Sequence, residues 1–283
     1  MLSTAKINLS DLIIYEDEDV LVINKPAGLI INQAETHQQT SLQTLVASYL
    51  QTQTTPTTES YLELPTDFDV TYGTPAEIWQ QRQGMVHRLD KDTSGLTVWA
   101  KSPLALVNLL SQFKNRTVNK SYLCLVHGLF AQEKSGRINL PLGRKLTNRQ
   151  LMTVTPSGRS ALTLYQVKQE WREFDKQKLK TLIPDIKNKE IDKLYQGFSL
   201  IKATPKTGRT HQIRAHLTHL KHPLVGDQAY LSNRKAKLDV LWCSRQFLHA
   251  AELSFTQPRT QKVLTFDSPL PTDLQTALTF LKN

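Results

Sequence analysis

Residues 84–102 read "GMVHRLDKDTSGLTVWAKS". Within them, "HRLDKDTSG" (87–95) crowds Arg88, Asp90, Lys91, Asp92 and a glycine turn into nine positions, while "LTVWA" behind it alternates like a half-buried strand. Asp90 therefore stands at the mouth of a strand, two residues after Arg88. A solvated loop tolerates that arrangement. An active site uses it to keep a nucleophile or base beside its counter-ion, because a neighbouring guanidinium favours the ionised form of a carboxylate. Taken alone, such a pair is more often a salt bridge than a catalytic device.

Upstream, "DLIIYEDEDVLVINKPAGLIIN" reads as two strands around the acidic turn Glu16–Asp19, with "KPAG" turning the chain into a third strand near Leu29–Asn32. Downstream, Ser102 caps and Pro103 opens an amphipathic helix over 103–115, with Leu106, Val107, Leu110 and Phe113 at helical spacing. "NKSYLCLVHG", "RSALTLYQV", "FSLIKATP", "QFLHAAELSF" and "KVLTF" read as further strands, and a terminal helix starts at Pro271. "TGRTHQIRAHLTHL" predicts a helix capped by Thr210; Ile213, Leu217 and Leu220 form its apolar stripe, and His211 and Arg214 are neighbours on another face. Strands joined by short turns, with few helices between, indicate an α+β fold: a mixed, mostly antiparallel central sheet with flanking helices. The expected organisation is a single catalytic domain over 1–283, with surface insertions at 51–83 (low-complexity at "QTQTTPTTES") and at the lysine-rich 172–193.

Charge points to the partner. The chain carries 35 Lys+Arg and 25 Asp+Glu, but residues 1–100 hold 5 and 13 of them, leaving 30 and 12 for residues 101–283. A second half at +18 suits a polyanion, although a solvated basic face would look the same. No apolar run reaches membrane-spanning length and no secretory signal is visible at the N-terminus, so a cytoplasmic protein without a membrane partner is expected. Cys124 and Cys243 read as reduced, buried thiols.

Phosphate-cradling chemistry has no motif to rest on. "GRINLPLGRK" separates its glycines by six residues where a P-loop needs four, and no GxGxxG occurs. His211, His216, His219 and His222 lack the spacing and companions of a metal site, so no metal is expected, and these histidines read as RNA-facing or structural. From the residues alone the reading stops at a basic cleft with an ionised aspartate, acting on a polyanion.

"GMVHRLDKDTSGLTVWAKS" resembles the catalytic motif of the RluA-type pseudouridine synthases. "YEDEDVLVINKPAGLIIN", "NKSYLCLVHG", "TGRTHQIRAHLTHLKHPLVGDQAY" and "FLHAAELSF" are similar to that family's other motifs, in the same order. The resemblance implies an RNA-binding cleft and the isomerisation of uridine to pseudouridine in ribosomal or transfer RNA. The glycosidic bond breaks, uracil rotates, and a bond forms at C5, with no cofactor. It implies Asp90 as catalytic aspartate, Tyr122 as the tyrosine packed against the target base, Arg214 as the partner of the aspartate, and Leu248 as a wall of the base pocket. Arg88 would then face RNA, and Arg209 and His211 would hold phosphate or a base edge. A uridine inside folded RNA must be flipped out, which costs a few kcal/mol and calls for a stacking surface and positive charge.

Family members with an N-terminal S4 module dock RNA through it; here the catalytic strands begin by residue 11, so a monomer without that module is expected. Two readings compete, the first of them on the same fold. A catalytically idle RNA-binding protein would not need Asp90, Tyr122 and Arg214 together, and a nucleoside hydrolase would release free uracil.

Overall fold

Val20, Leu21, Val22 and Ile23 are all fully buried, which makes β2 (Val20–Lys25) a central strand rather than an edge. The computed structural model describes residues 7–32, 40–53, 74–130 and 133–282. The chain divides into two units, Met1–Asn119 with Glu252–Ser268, and Lys120–Ala251 with Pro269–Asn283.

In the first unit, β1 (Ile13–Glu16) pairs antiparallel with β2 across the acidic turn, as the sequence predicts. The turn closes because the Asp17 carboxylate accepts the N–H groups of Asp19 and Val20, both at 2.8 Å. Then come α1 (Leu42–Gln53), α2 (Pro75–Arg82), β3 (Ser94–Ala100) and α3 (Pro103–Lys114). The Ser102 side chain caps α3 by accepting from the Ala105 N–H at 3.2 Å. β3 pairs antiparallel with β2, Val98 opposite Val22. The core joins these strands to Ile78 of α2 and to Leu106 and Leu109 of α3.

Three expectations fail in this unit. Leu29–Asn32 is not a strand: the carbonyls of Ile30 and Ile31 accept the N–H groups of Leu42 and Gln43 at 2.8 Å, so that backbone seats the start of α1. β3 is buried along its whole length instead of alternating; Thr97 is tolerated inside because its hydroxyl accepts the Trp99 indole N–H at 3.1 Å. The reading of 51–83 as an insertion fails at its end, where α2 carries a Thr74–Glu77 capping box and places Ile78, 3% exposed, in the core. Residues 54–73 of that segment lie outside the described residues.

The second unit contains β4 (Asn119–His127), β5 (Ser135–Asn139), β6 (Leu142–Lys145), β7 (Asn148–Val154), β8 (Leu162–Trp171), β9 (Glu173–Phe174), α4 (Lys176–Leu182), α5 (Asn188–Leu194), β10 (Phe198–Pro205), α6 (Gln212–His219) and α7 (Asn233–Trp242). Strands run in the order β4, β10, β8, β5, every ladder antiparallel. β6 and β7 form a separate hairpin. β11 (Leu248–Thr256) opens in this unit and ends in the first, where it pairs with β12 (Val263–Asp267); α8 (Thr272–Leu278) and β13 (Leu281–Lys282) return to the second. The α+β class is as expected.

Segment 172–193 is not a surface insertion. Phe174, Leu179, Ile186 and Ile191 are buried with Tyr195, Phe198, Trp242 and Phe247, so the segment that carries α4 and α5 is part of this core. Lysines interleaved at helical spacing disguised that apolar face. Within it Lys176 pairs with Asp192, and Lys282 reaches its Asp175 at 3.0 Å.

Candidate active site

Asp90 sits half-buried in the loop before β3, between buried Leu89 and the exposed Lys91. The loop is shaped from beneath by Lys25. That side chain is fully buried, and its ammonium donates to the carbonyls of Pro26, Leu29 and Lys91, each at 2.9 Å. Gly28 N–H also donates to the Lys91 carbonyl at 2.9 Å, and Thr93 N–H closes the turn onto the Asp90 carbonyl at 3.1 Å. A buried ammonium is tolerable only when such acceptors surround it. "NKPAG" is therefore more than a turn signal: its lysine staples the first motif to the second. On the other side, His87 Nε2 accepts the Val98 N–H at 3.1 Å and its ring stacks on Phe113 at 4.8 Å. Arg88 is exposed.

The remaining predicted residues belong to the second unit. Arg214 lies on α6, 6% exposed, and is gripped bidentately by Asp227: Nε donates to Oδ2 at 2.7 Å and the guanidinium NH2 to Oδ1 at 2.8 Å. Asp227 is itself held, accepting the Ala229 N–H at 3.2 Å. It follows Gly226, whose φ of +72° and whose crowding against the Arg245 carbonyl, 2.0 Å from any added Cβ, leave room only for glycine. The Arg214 guanidinium lies 5.0 Å from the Tyr230 ring centroid.

Thr210 does not cap α6. His211 does, in a left-handed conformation at φ 51° with no side-chain cap bond. Its Nδ1 lies 3.3 Å from the Tyr230 hydroxyl. The turn is fixed instead by Gln212, whose amide oxygen accepts the Arg209 N–H at 3.0 Å and the Thr207 hydroxyl at 2.7 Å. Arg209 donates from Nε to the Ser160 carbonyl at 3.1 Å. Tyr122 (8% exposed) lies on β4 opposite Ala203 of β10, and Leu248 (4%) opens β11, its carbonyl accepting from Arg245 at 3.4 Å.

The structure thus gathers Arg209, His211 and Arg214 around the N-terminus of α6, while Arg88 and Asp90 share a loop of the other unit. Sequence reasoning missed Lys25, Asp227 and Tyr230. It also missed Lys120, which shares a face of β4 with Tyr122 and whose ammonium burial, helped by Lys206, brings down to about 8. His216 is structural: Nδ1 meets the Thr163 hydroxyl and Nε2 the Leu140 carbonyl, both at 2.9 Å. His222 bonds the His127 carbonyl at 2.9 Å and stacks on Phe130. Among the described residues no group of three or more His, Cys, Asp or Glu could hold a metal ion, and no helix is long and apolar enough to cross a membrane.

Comparison with solved structures identifies the fold. The chain matches human RNA pseudouridylate synthase domain containing 4 with a TM-score of 0.62 at 20% identity, covering 96% of this chain and 94% of that one. It matches human RNA pseudouridylate synthase domain containing 1 with a TM-score of 0.59 at 24% identity, covering 94% and 86%. This is the fold of the pseudouridine synthases.

Sequence likeness goes further: the RNA pseudouridylate synthase family model matches residues 19–219, and the chain belongs to that family. An uncharacterized RNA pseudouridine synthase of Bacillus subtilis is 34% identical over 262 residues, 93% of this chain and 70% of that protein. Ribosomal large subunit pseudouridine synthase D of Blochmanniella floridana is 34% identical over 281 residues, 95% and 72%. The protein acts on RNA, isomerising uridine to pseudouridine.

Proposed function

We propose that the substrate is ribosomal RNA of the large subunit, modified in the cytoplasm by a monomer in which the two units act as one catalytic domain. The observation that carries this reading is the 34% identity, over 95% of this chain, to a protein named for that subunit. In the proposed site Asp90 is the catalytic carboxylate and Arg214 the cation that keeps it ionised. Tyr122 and Leu248 enclose the flipped uracil, while Arg88, Arg209 and His211 contact RNA. The residues suit these roles. A buried guanidinium whose orientation is fixed by Asp227 is a cation set in place before substrate arrives. A half-buried aspartate on a fixed backbone remains reachable by substrate. The reaction conserves all atoms, so it asks for positioning and charge and for no external reactant.

Pseudouridine mapping of ribosomal and transfer RNA from cells with and without the gene tests the substrate. Loss of a signal in large-subunit RNA is expected, and loss confined to transfer RNA would overturn the ribosomal assignment. Free uracil released from a uridine-containing transcript would instead indicate hydrolysis.

A further inference from the structure

Local folding does not account for the β6–β7 hairpin's sequence. From Lys134 to Lys168 the chain holds seven Lys or Arg and no Asp or Glu, whereas 172–193 holds seven against five. The positive excess is concentrated on β5–β8, not on the lysine-rich helices. Lys134 is answered by Glu170 at 2.5 Å. Arg137, Arg144, Lys145, Arg149, Arg159 and Lys168 all stand in solvent.

At the tip, Lys145 pairs with Asn148 across a two-residue turn, Leu146–Thr147. Such turns favour Gly, Asn or Asp, whose backbones adopt them cheaply. Here the first position is leucine, 97% exposed. It covers no core and eases no turn. The hairpin's base, by contrast, is anchored. Leu142 is buried, and Met152 and Val154 pack with it against Ala215 of α6 and Tyr230. The Met152 N–H donates to the Tyr230 hydroxyl at 2.9 Å, and that hydroxyl donates back to the Met152 carbonyl at 3.1 Å. Since the same ring lies against Arg214, whatever the tip grips is held in register with that arginine.

We propose that this hairpin is an RNA-docking finger: Leu146 wedges into a stacked, helical stretch of the substrate while Arg144, Lys145 and Arg149 hold the flanking phosphates. Apolar wedges beside phosphate-binding cations are a known way of gripping a stacked duplex. The inference rests on the RNA-modifying reading and narrows it, since the substrate must offer a stacked element beside the target uridine.

The test compares the full-length protein, Leu146→Ser, Leu146→Met and the triple variant Arg144→Gln, Lys145→Gln, Arg149→Gln. Each is titrated across salt against a stem-loop transcript and single-stranded oligouridine of equal length. The triple variant should bind both RNAs at least about tenfold more weakly, with the salt slope reduced by about two to three units. Leu146→Ser should lose about five- to tenfold on the stem-loop alone with an unchanged salt slope, and Leu146→Met should retain wild-type affinity. Wild-type stem-loop binding by Leu146→Ser, equal losses on both RNAs, or an unchanged slope in the triple variant would overturn the finger, including in favour of an acidic protein partner. Failure of the wild type to form pseudouridine in a large-subunit transcript would sink the ribosomal assignment only, because the binding comparison still decides the finger.

Discussion

Asp90 and Arg214 are fixed in opposite ways. Around Asp90 the protein immobilises backbone: Lys25, buried beneath the loop, ties down three carbonyls and leaves the aspartate half-exposed. Around Arg214 it immobilises the side chain itself, through the bidentate contact with Asp227 and the face of Tyr230. A carboxylate that meets substrate needs a reachable head on a rigid mount. A long, flexible arginine loses rotamer freedom whenever it is ordered, so its orientation is better set in advance. The difference teaches that positioning residues in this enzyme are as chemically specific as the groups they position.

Four measurements break or sharpen that contrast. The largest effect is expected from Asp90→Asn, which keeps shape and removes the ionised carboxylate: turnover should fall at least about a thousandfold while RNA affinity stays within about threefold. An active Asp90→Asn enzyme would remove Asp90 from the chemistry. Next is Asp227→Ala, which takes the bidentate carboxylate away from a buried guanidinium. Breaking such a pair costs about 3–5 kcal/mol, so a clear drop in melting temperature should accompany lost turnover. Unchanged melting would mean that another group carries Arg214.

Lys25→Met should come third. It keeps the apolar stem and takes the ammonium from three carbonyls; that of Lys91 keeps the Gly28 N–H, and any carbonyl left orphaned costs about 1–3 kcal/mol before the loop relaxes. Turnover should suffer more than RNA affinity, because the aspartate's mount loosens while the basic surface is untouched. Equal losses in both would show a general fold defect instead. The smallest effect lies in pH. Burial holds the His127 imidazole below its ordinary value of 6.5, against the pull of Asp239, which it meets at 2.7 Å. The unfolded chain therefore takes up this proton first as pH falls. His127's contribution is present above 6.5 and is lost as pH drops towards the depressed folded value. Denaturation midpoints should decline from pH 7 to 5, and His127→Gln should flatten that decline. An identical slope in the variant would exclude His127 as its source.

Much of this was legible in the sequence. The paired strands around Asp17, the helix capped by Ser102, strand β10 to the residue, and the α+β class all follow from short-range rules of capping, turn chemistry and alternation. The motif order carried the family. What failed, failed for reasons of packing. Lysine-rich 172–193 looked like a loop because its apolar residues are few, yet each of Leu179, Ile186 and Ile191 meets the aromatic core.

The sequence by itself determined which local structures could form and which motifs stand together, because those depend on neighbours a few residues away. Tertiary structure alone decided that Lys25 belongs under Lys91, 66 residues later, and that Arg214 is held by Asp227 rather than by whatever charge lies nearer in the chain. Burial is the physical reason. A lysine or a guanidinium is an ordinary solvated charge until the fold excludes water around it, and only then does it require partners that no local pattern encodes.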